Sequence, residues 1–444
     1  MRNRLYMELV GCLSEKEFSL DELVVKVKEL FATEGMAGVV GLLLSLFDEH
    51  LCVGLVRGKA IWQPKPCCEA PRYELHKRSK RRFRTTIGTV RIEWRRLRCV
   101  HCGRTVIPLR EFLHLDRYQS KTAELERTVA EVVSEQSYRR VSRHLRLIGE
   151  IPVPKSTAHR WVMESDCDAI ETDGKLVDVL VADGTGYKRR PEKTAGKNNR
   201  GELRVVLGVR TDGTVVPYGS WSGESWEKIG EEIHAKTEGS GPIAKGLVSD
   251  GELGIAEGLA HLVNEQQRCH WHMVHDLDYA MWQESASKQE RRSTQKQLAG
   301  ILGIELPEED FEQVAEEDKA KIEQATEAAE EKIEQLVVEL AQKGYSQAAS
   351  YVANAKDRLF SYVRFWLRYG LVTPRVSSMI ERMMREIGRR LKRIAFGWSE
   401  KGAAKMARII IKRITSAGEW EAYWRKRLRI SGNVVLVYRG IIAA

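Results

Sequence analysis

Two apolar segments that each end in Asp-Gly constrain the fold of this chain most strongly. Leu176–Ala182, apolar except for Asp178, runs into Asp183-Gly184, and the shorter Lys245–Val248 runs into Ser249-Asp250-Gly251. An aspartate at the carboxyl end of a strand, followed by glycine, projects into the crevice at the sheet edge. Asp-Gly is also a common turn sequence, so either dipeptide alone indicates little.

The surrounding pattern predicts an α/β region followed by a helical one. Alternating and apolar runs predict strands at Glu202–Val209, Thr214–Ser220 and Gln267–His272, and helices at Trp226–Thr237 and Ile255–Val263. Long periods rich in Glu, Lys and Ala predict helices from Asp276 to about Gly418.

A third acid, Glu381, is distinguished by its context. Ser377 or Ser378 can cap a helix whose first turns carry Glu381 and whose later turns carry arginines at 382, 385, 389 and 390. Two aspartates and a third acid could hold the pair of Mg²⁺ ions that phosphoryl transfer between DNA strands requires. The alternative is a surface pair of Glu381 with Arg385, one helical turn away.

Four motifs in order carry a family resemblance: Val181-Ala-Asp-Gly-Thr, Leu247-Val-Ser-Asp-Gly, Gln267-Arg-Cys-His-Trp-His-Met-Val-His and Ser378-Met-Ile-Glu-Arg. The region from about Asp183 to Trp424 resembles DDE transposases of prokaryotic insertion sequences, in the Mutator-like group. Members of that group often have Asn where this chain has Ser378.

That resemblance implies an RNase H-like core with a long helical insertion. Asp183, Asp250 and Glu381 would be the catalytic triad and would bind Mg²⁺ or Mn²⁺. Cys269 and His272 would match a Cys-x-x-His motif and form a structural pair beside the active site; the cluster of Cys269 with His270, His272 and His275 is too compact for all four to bind one ion.

Cysteines before the core suggest a zinc ribbon. Cys67-Cys68 and Cys99-x-x-Cys102 lie about thirty residues apart with strand-like sequence between them. Gly103 permits the tight turn of a knuckle around Cys99, whereas adjacent Cys67 and Cys68 cannot both take ordinary knuckle positions. The fourth ligand is therefore open between Cys67, His76 and His101, and four free thiols remain the alternative.

Charge is segregated along the chain. The net charge is +10, yet His76–Arg110 alone has twelve Lys/Arg against one acid, and Glu305–Glu339 has fourteen acids against three lysines. A module this basic suggests a polyanionic partner, although a solvated face is the simpler interpretation of each run.

A helix-turn-helix is predicted between the basic module and the core. Tyr138–Ile148 is amphipathic, a turn follows through Gly149 and two prolines, and a second helix begins near Lys155, with Ser156 as its cap. An ordinary helical hairpin is the alternative. We expect base contacts from Lys155, Ser156, Thr157, His159 and Arg160 and phosphate contacts from Arg81, Arg82 and Arg84.

The 444 residues exceed one ordinary core. In chain order we expect an N-terminal helical region (1–62), a basic zinc-ribbon-like module (63–112), the helix-turn-helix region (113–168), the first part of the core (169–275), the acidic insertion (276–370), and the second part of the core with Glu381 and the C-terminal helices (371–444). No apolar run reaches the roughly eighteen residues of a membrane helix, so we expect a cytoplasmic, nucleoid-associated protein without a membrane partner.

The expected function is DNA transposition. The protein would bind terminal inverted repeats of double-stranded DNA, cleave a phosphodiester and join the end to target DNA, as a homodimer or larger assembly. Two alternatives stay open: an RNase H-like nuclease without strand transfer, and a non-enzymatic regulator built on the zinc ribbon and helix-turn-helix.

Overall fold

The computed structural model describes residues 21, 24–25, 35–60, 62–149, 151–171, 174–190, 199–237, 241–394 and 396–430. The chain divides into two compact units: Met1–Val133 with Tyr138–Val162, and Ser134–Ser137 with Met163–Ala444. Within the expected N-terminal helical region, Leu20–Phe31 has the Leu/Val periodicity of a helix but lies almost entirely outside the described residues.

A helix packed on a long hairpin forms the first part of the N-terminal unit. Its elements are α1 (Met36–Val56), β1 (Tyr73–Thr85), β2 (Gly88–Cys99), β3 (Thr105–Val106) and α2 (Pro108–Phe112), and the three strands form an antiparallel sheet. Leu51 of α1 shares one buried cluster with Phe83, Val90, Ile92 and Trp94 of the hairpin. The expected boundary between residues 62 and 63 stays a prediction, and across it α1 packs against the hairpin in shared apolar clusters.

The hairpin also differs from the short strands expected. Thr86 and Ile87 form the turn between β1 and β2, where a strand was predicted, and Thr85 pairs with Gly88 across it. The Thr85 side chain donates a hydrogen bond to the Gly88 carbonyl at 2.8 Å and accepts one from the Ile87 N–H at 3.2 Å. These bonds satisfy backbone groups that a two-residue turn would otherwise leave exposed.

The apolar character of α1 exceeds what the sequence pattern suggested. Within the described residues, Met36–Val56 is the one helix whose length and composition would allow it to cross a membrane, and 22% of its apolar stretch is buried. Its Asp48, Leu51 and Cys52 are buried, and the Asp48 carboxylate accepts a hydrogen bond from the Arg95 N–H of β2 at 2.9 Å.

Three helices complete the N-terminal unit: α3 (Ala123–Glu135), α4 (Tyr138–Gly149) and α5 (Lys155–Glu164). The helix pair that the sequence predicts is present as α4 and α5. The predicted cap is wrong, because α5 already begins at Lys155 and Ser156 lies inside its first turn.

A five-stranded mixed sheet organises the second unit. Its strands are β4 (Val177–Lys188), β5 (Arg200–Val209), β6 (Val215–Ser222), β7 (Ala244–Ser249) and β8 (Val263–Arg268), in the order β6-β5-β4-β7-β8. β4, β5 and β6 pair antiparallel, whereas β7 and β8 run parallel to β4. Helices α6 (Trp226–Lys236) and α7 (Leu253–Gly258) connect the later strands.

Two strand predictions need correction here. Asp183 does not end its strand, because β4 continues to Lys188 through antiparallel pairing with β5 after its parallel pairing with β7 has ended at Ala182. Gln267–His272 is not a strand either: β8 ends at Arg268, and a helix begins at His270 with Cys269 as its N-cap. The predicted helix Ile255–Val263 is shorter as well, since Val263 already belongs to β8.

The remaining long elements of the described residues are helices, as the sequence predicts. The helices are α8 (His270–Gln283), α9 (Lys288–Ile301), α10 (Glu316–Gln342), α11 (Ser346–Ala353), α12 (Ser361–Tyr369), α13 (Ser378–Leu391), α14 (Glu400–Thr415) and α15 (Ala417–Leu428). Helices α8 to α12 enclose their own apolar cluster, which includes Leu277, Leu298, Leu336 and Phe360. That separate core is what an inserted helical region requires in order to fold.

Candidate active site

Parallel pairing of β4 with β7 brings the two sequence-predicted aspartates together. Ala182 is paired with Ser249, so the next residues are Asp183, within β4, and Asp250, directly after the end of β7. Asp183 is half-buried, and its pKa rises from 3.8 to about 7 because of burial and then because of the negative charge of Asp250, with a further contribution from Glu381. Like charges held together in a partly desolvated place are the expected condition of carboxylates that share cations.

The backbone after Asp250 admits only glycine. Gly251 has φ +92°, and a Cβ there would lie 1.5 Å from Nη1 of Arg268. The Asp250 carboxylate in turn accepts a hydrogen bond from the Glu252 N–H at 3.0 Å, which fixes its orientation. The Asp-Gly dipeptide thus has a physical basis at this position, because the glycine makes room for a buried arginine behind the acid.

Glu381 reaches the site from the first turn of α13 through Ser377. The Ser377 hydroxyl donates to the Glu381 carboxylate at 3.0 Å, and it lies 3.3 Å from Sγ of Cys269 and 3.5 Å from Nδ1 of His272. Ser377 is the N-cap residue of α13, yet its side chain caps no backbone N–H. Its hydroxyl instead joins the third acid to the Cys-x-x-His motif.

Cys269 and His272 form a polarised pair at the start of α8. Burial alone would raise the pKa of Cys269, but contacts with His272 and Ser377 outweigh it and lower that pKa to about 7. Burial likewise opposes the charged form of His272, whose pKa is nevertheless raised by Cys269 and then by the charge of Asp250. Among the described residues, the Cys269 sulfur, a ring nitrogen of His272 and a carboxylate oxygen of Glu381 all lie within 4.8 Å of one another. Asp183, Asp250 and Glu381 do not form such a close group.

The structure adds acidic residues that the sequence did not single out. A Cβ at Gly184 would lie 3.0 Å from the Glu202 carboxylate and 3.6 Å from that of Glu252, so both acids flank the position after Asp183. The pKa of Glu252 is raised, first by burial and then by the negative charges of Glu202 and Asp250. A hydrogen bond from the Trp226 indole at 3.0 Å opposes this rise but does not cancel it. The only sequence signal was the Asp250-Gly251-Glu252 run, which we interpreted through its aspartate alone.

The donor set fits hard divalent cations. Asp183, Asp250 and Glu381 offer carboxylate oxygens, which Mg²⁺ and Mn²⁺ prefer, and the pKa of Asp183 is raised by burial and then by the charges of Asp250 and Glu381. Phosphoryl transfer uses two such ions about 4 Å apart, and three acids could share them.

The N-terminal cysteines form a second candidate metal site. The four ligand atoms of Cys67, Cys68, Cys99 and Cys102 lie within 4.8 Å of one another, with Sγ–Sγ distances of 3.7 Å for Cys68–Cys99 and 3.4 Å for Cys67–Cys102. Tetrahedral zinc with bonds of about 2.3 Å needs sulfurs roughly 3.8 Å apart, so the cluster could hold zinc. Of the candidates for the fourth position, Cys67 belongs to the group, and neither His76 nor His101 does.

The knuckle around Cys99 has the predicted geometry. Gly103 has φ +71° and donates its N–H to the Cys99 carbonyl at 2.9 Å. The backbone N–H of Cys102 lowers the pKa of Cys99 to about 6, with help from the N–H groups of Arg72 and His101. A thiol that ionises this readily is suited to binding a metal ion.

The residues expected to contact DNA differ in their solvent exposure and in the hydrogen bonds that they already make. Arg82 is exposed, whereas the Arg81 guanidinium donates to the backbone carbonyls of Arg117 and Gln119 at 3.0 and 3.3 Å, and Arg84 is only partly exposed. Arg81 is therefore committed to holding the chain after α2. On α5, Lys155, Ser156, His159 and Arg160 are exposed and Thr157 is partly exposed.

No protein-family model and no curated protein matches this chain. Among solved structures, a chain of the Drosophila P element transposase strand transfer complex matches with a TM-score of 0.36 and 12% sequence identity. That match covers 66% of this chain and 92% of the other.

Proposed function

We propose that this protein is a DDE-type transposase that cleaves and joins DNA by metal-dependent phosphoryl transfer. The observation that carries the proposal is the placement of Asp183 and Asp250 directly after the last residue pair of two parallel strands, with Glu381 close enough for its charge to act on Asp183. The mixed five-stranded sheet, with an acid on its central strand, supports an RNase H-like core. The order of the four motifs supports the Mutator-like group of insertion sequences.

Each acid has a distinct part in the proposed mechanism. Asp183 and Asp250 would hold Mg²⁺ or Mn²⁺, and Glu381 would complete the ligand set and orient the attacking water or 3′-hydroxyl. Bound ions would stabilise the attacking and leaving oxygens of the phosphodiester. Ser377 fixes the Glu381 carboxylate by its hydrogen bond, and Cys269 and His272 would be a structural pair that supports this arrangement.

Cleavage and joining of labelled transposon-end DNA test the proposal. Asp183→Asn, Asp250→Asn and Glu381→Gln should each abolish both reactions while binding to the same DNA stays within about twofold, because the acids bind metal and not phosphate. Asp178→Asn is the matched control, since Asp178 lies on the same strand but is engaged by Lys245 and Thr211. Unchanged cleavage in the three variants would contradict the assignment of the acids, whereas specific binding of end DNA without cleavage by the unaltered protein would favour a non-enzymatic regulator.

The same assay separates a transposase from a nuclease of the same fold. Cleavage without joined products, under conditions that support cleavage of both strands, would favour the nuclease. Because two transposon ends must be brought together before they are joined to target DNA, we also propose a homodimer or larger assembly on double-stranded DNA. Sedimentation of the protein with and without end DNA measures this directly.

A further inference from the structure

An exposed row of aromatic side chains runs along α8 away from the candidate active site. Trp271, Tyr279 and Trp282 are 51%, 57% and 58% exposed. Trp271 stacks on His275 with ring centroids 4.7 Å apart and planes at 14°, and Tyr279 stacks on Trp282 at 5.7 Å and 26°. At 3.6 residues per turn, positions 271, 275, 279 and 282 fall on one face of the helix.

Large aromatic rings are costly to leave in water, so a row of them needs an explanation. The core contacts of α8 are made by Met273, Leu277 and Met281, which are buried in the helical core. The aromatic row is therefore not required for packing. It lies on the opposite, solvent side of a helix whose core contacts are complete.

A groove begins at the same place. It has a volume of 620 Å³ and is lined by Trp271 and His275 of α8, by Gln295 and Ala299 of α9, and by Arg375. Arg375 is two residues before Ser377, whose hydroxyl holds Glu381, and Trp271 directly precedes His272. The aromatic row and groove thus continue directly from the residues that surround the proposed catalytic acids.

Charge at this face suits a nucleic acid. Helix α9 carries four Lys/Arg against one Glu, and its Lys288, Arg292 and Lys296 are exposed. The acids of α8 are engaged locally: Asp276 with His275, and Asp278 with Arg291. The strongly acidic helix of this region is α10, where phosphate would be repelled.

We propose that the aromatic row of α8 (Trp271, His275, Tyr279 and Trp282) is a stacking platform for unpaired nucleobases at the cleaved DNA end. Aromatic rings bind bases of any sequence through their faces, and cations beside them follow the phosphates. The inference rests on the proposed function, since it names the form of DNA that leaves the active site.

Binding of a duplex with a single-stranded overhang, compared with the same duplex made blunt, tests the platform. Fluorescence anisotropy without divalent metal excludes cleavage. Trp271→Ala combined with Trp282→Ala should weaken overhang binding about 5- to 150-fold per base no longer stacked and change blunt-duplex binding less than about twofold. Trp271→Phe should retain most of the affinity, and Val338→Ala, an exposed apolar residue of α10, is the matched control.

Equal losses on both duplexes, or no loss on the overhang, would overturn the platform. A change in oligomeric mass without a change in overhang binding would make this face a protein interface and also overturn it. The two proposals fail separately. Overhang binding that depends on the tryptophans in a protein that never cleaves DNA would refute the transposase and leave the platform. Cleavage with unaltered overhang binding would do the reverse.

Discussion

At the scale of single residues, the Ser377 hydroxyl joins the third acid to the Cys-x-x-His motif. We predict that Ser377→Ala lowers the cleavage rate at least tenfold and raises the metal concentration needed for half-maximal rate, because Glu381 loses the hydrogen bond that fixes it. Ser377→Thr keeps the hydroxyl and should restore both quantities substantially. The measurement is cleavage rate against Mg²⁺ concentration, together with the melting temperature. Loss of rate with an unchanged metal requirement would show that Ser377 does not act through the ion ligands.

Asp48 of α1 predicts a pH-dependent stability. Burial raises its pKa from 3.8 to about 6, so the folded state favours the protonated form. The contribution of Asp48 to the free energy of unfolding is favourable below about pH 4, declines as the pH rises through about 6, and is unfavourable above that pH. At about 1.4 kcal/mol per pH unit the effect is at most about 3 kcal/mol. Asp48→Asn keeps an acceptor for the Arg95 N–H and should increase hydrogen-exchange protection of β2 at pH 7.5 but not at pH 4.

The exposed neighbour provides the control for that experiment. Glu49 is paired with Arg95 at 3.3 Å but its side chain is 59% exposed, so Glu49→Gln should change protection little at either pH. Lower protection in Asp48→Asn at pH 7.5 would show that the charged carboxylate stabilises the hairpin.

Single site residues were predictable from the sequence where the local pattern around them indicates their position in the fold. Asp183 and Asp250 stand out because apolar strands lead to them, and parallel pairing then makes them neighbours. Glu202 and Glu252 carry no comparable local signal, since their proximity to Gly184 arises from the pairing of β4 with β5 and from the turn after Gly251. Ser377 was recognised as a cap candidate only, because a contact between residues 269 and 377 is invisible to local pattern.

At the scale of elements, the hairpin and its four cysteines form one folding unit with α1. Apolar residues from α1 supply a core, which the sequence of the basic module alone did not suggest. We predict one tightly bound zinc ion per chain. Cys99→Ser should lose it and destabilise the hairpin, because metal-binding free energy becomes folding free energy in such modules.

Metal analysis and cobalt substitution measure the zinc site. Co²⁺ at four thiolates gives intense visible absorption, which Cys99→Ser should lose and Cys52→Ala should keep. Cys52 is buried in the same apolar cluster but lies outside the four-cysteine group, so it controls for packing alone. A purified protein without stoichiometric zinc and with a stable hairpin would leave α1 as the sole stabiliser of the module.

At the scale of the whole molecule, the sequence shows that charge is segregated along the chain, but it does not show which of the basic side chains face solvent. Strand alternation decides which arginines face solvent. Arg78, Lys80 and Arg82 share the exposed face of β1, whereas Arg81 lies on the other side with its guanidinium on backbone carbonyls. From the sequence alone we predicted the same role for Arg81, Arg82 and Arg84. Which of them lie on the exposed face of the strand follows only once the strand register is known.

From that pattern of exposure we predict that DNA binding is divided between two surfaces of the N-terminal unit. Arg82 is paired across the hairpin with Arg91, and both are exposed, so Arg82→Gln with Arg91→Gln should weaken binding to every DNA sequence. The slope of log affinity against log salt should fall by about 0.9 for each phosphate that the protein no longer neutralises. Arg160→Ala, on the exposed face of α5, should instead reduce the preference for end DNA over random DNA.

Titrations of end and random DNA at several salt concentrations measure both quantities. Lys321→Gln with Lys332→Gln, on the acidic helix α10, is the matched control, because it removes two positive charges where no phosphate is expected. Parallel losses on end and random DNA from both sets of variants would remove the distinction and make the two surfaces one undivided electrostatic contact. Loss of preference from Arg160→Ala alone, with the salt slope unchanged, is the result that the division of labour requires.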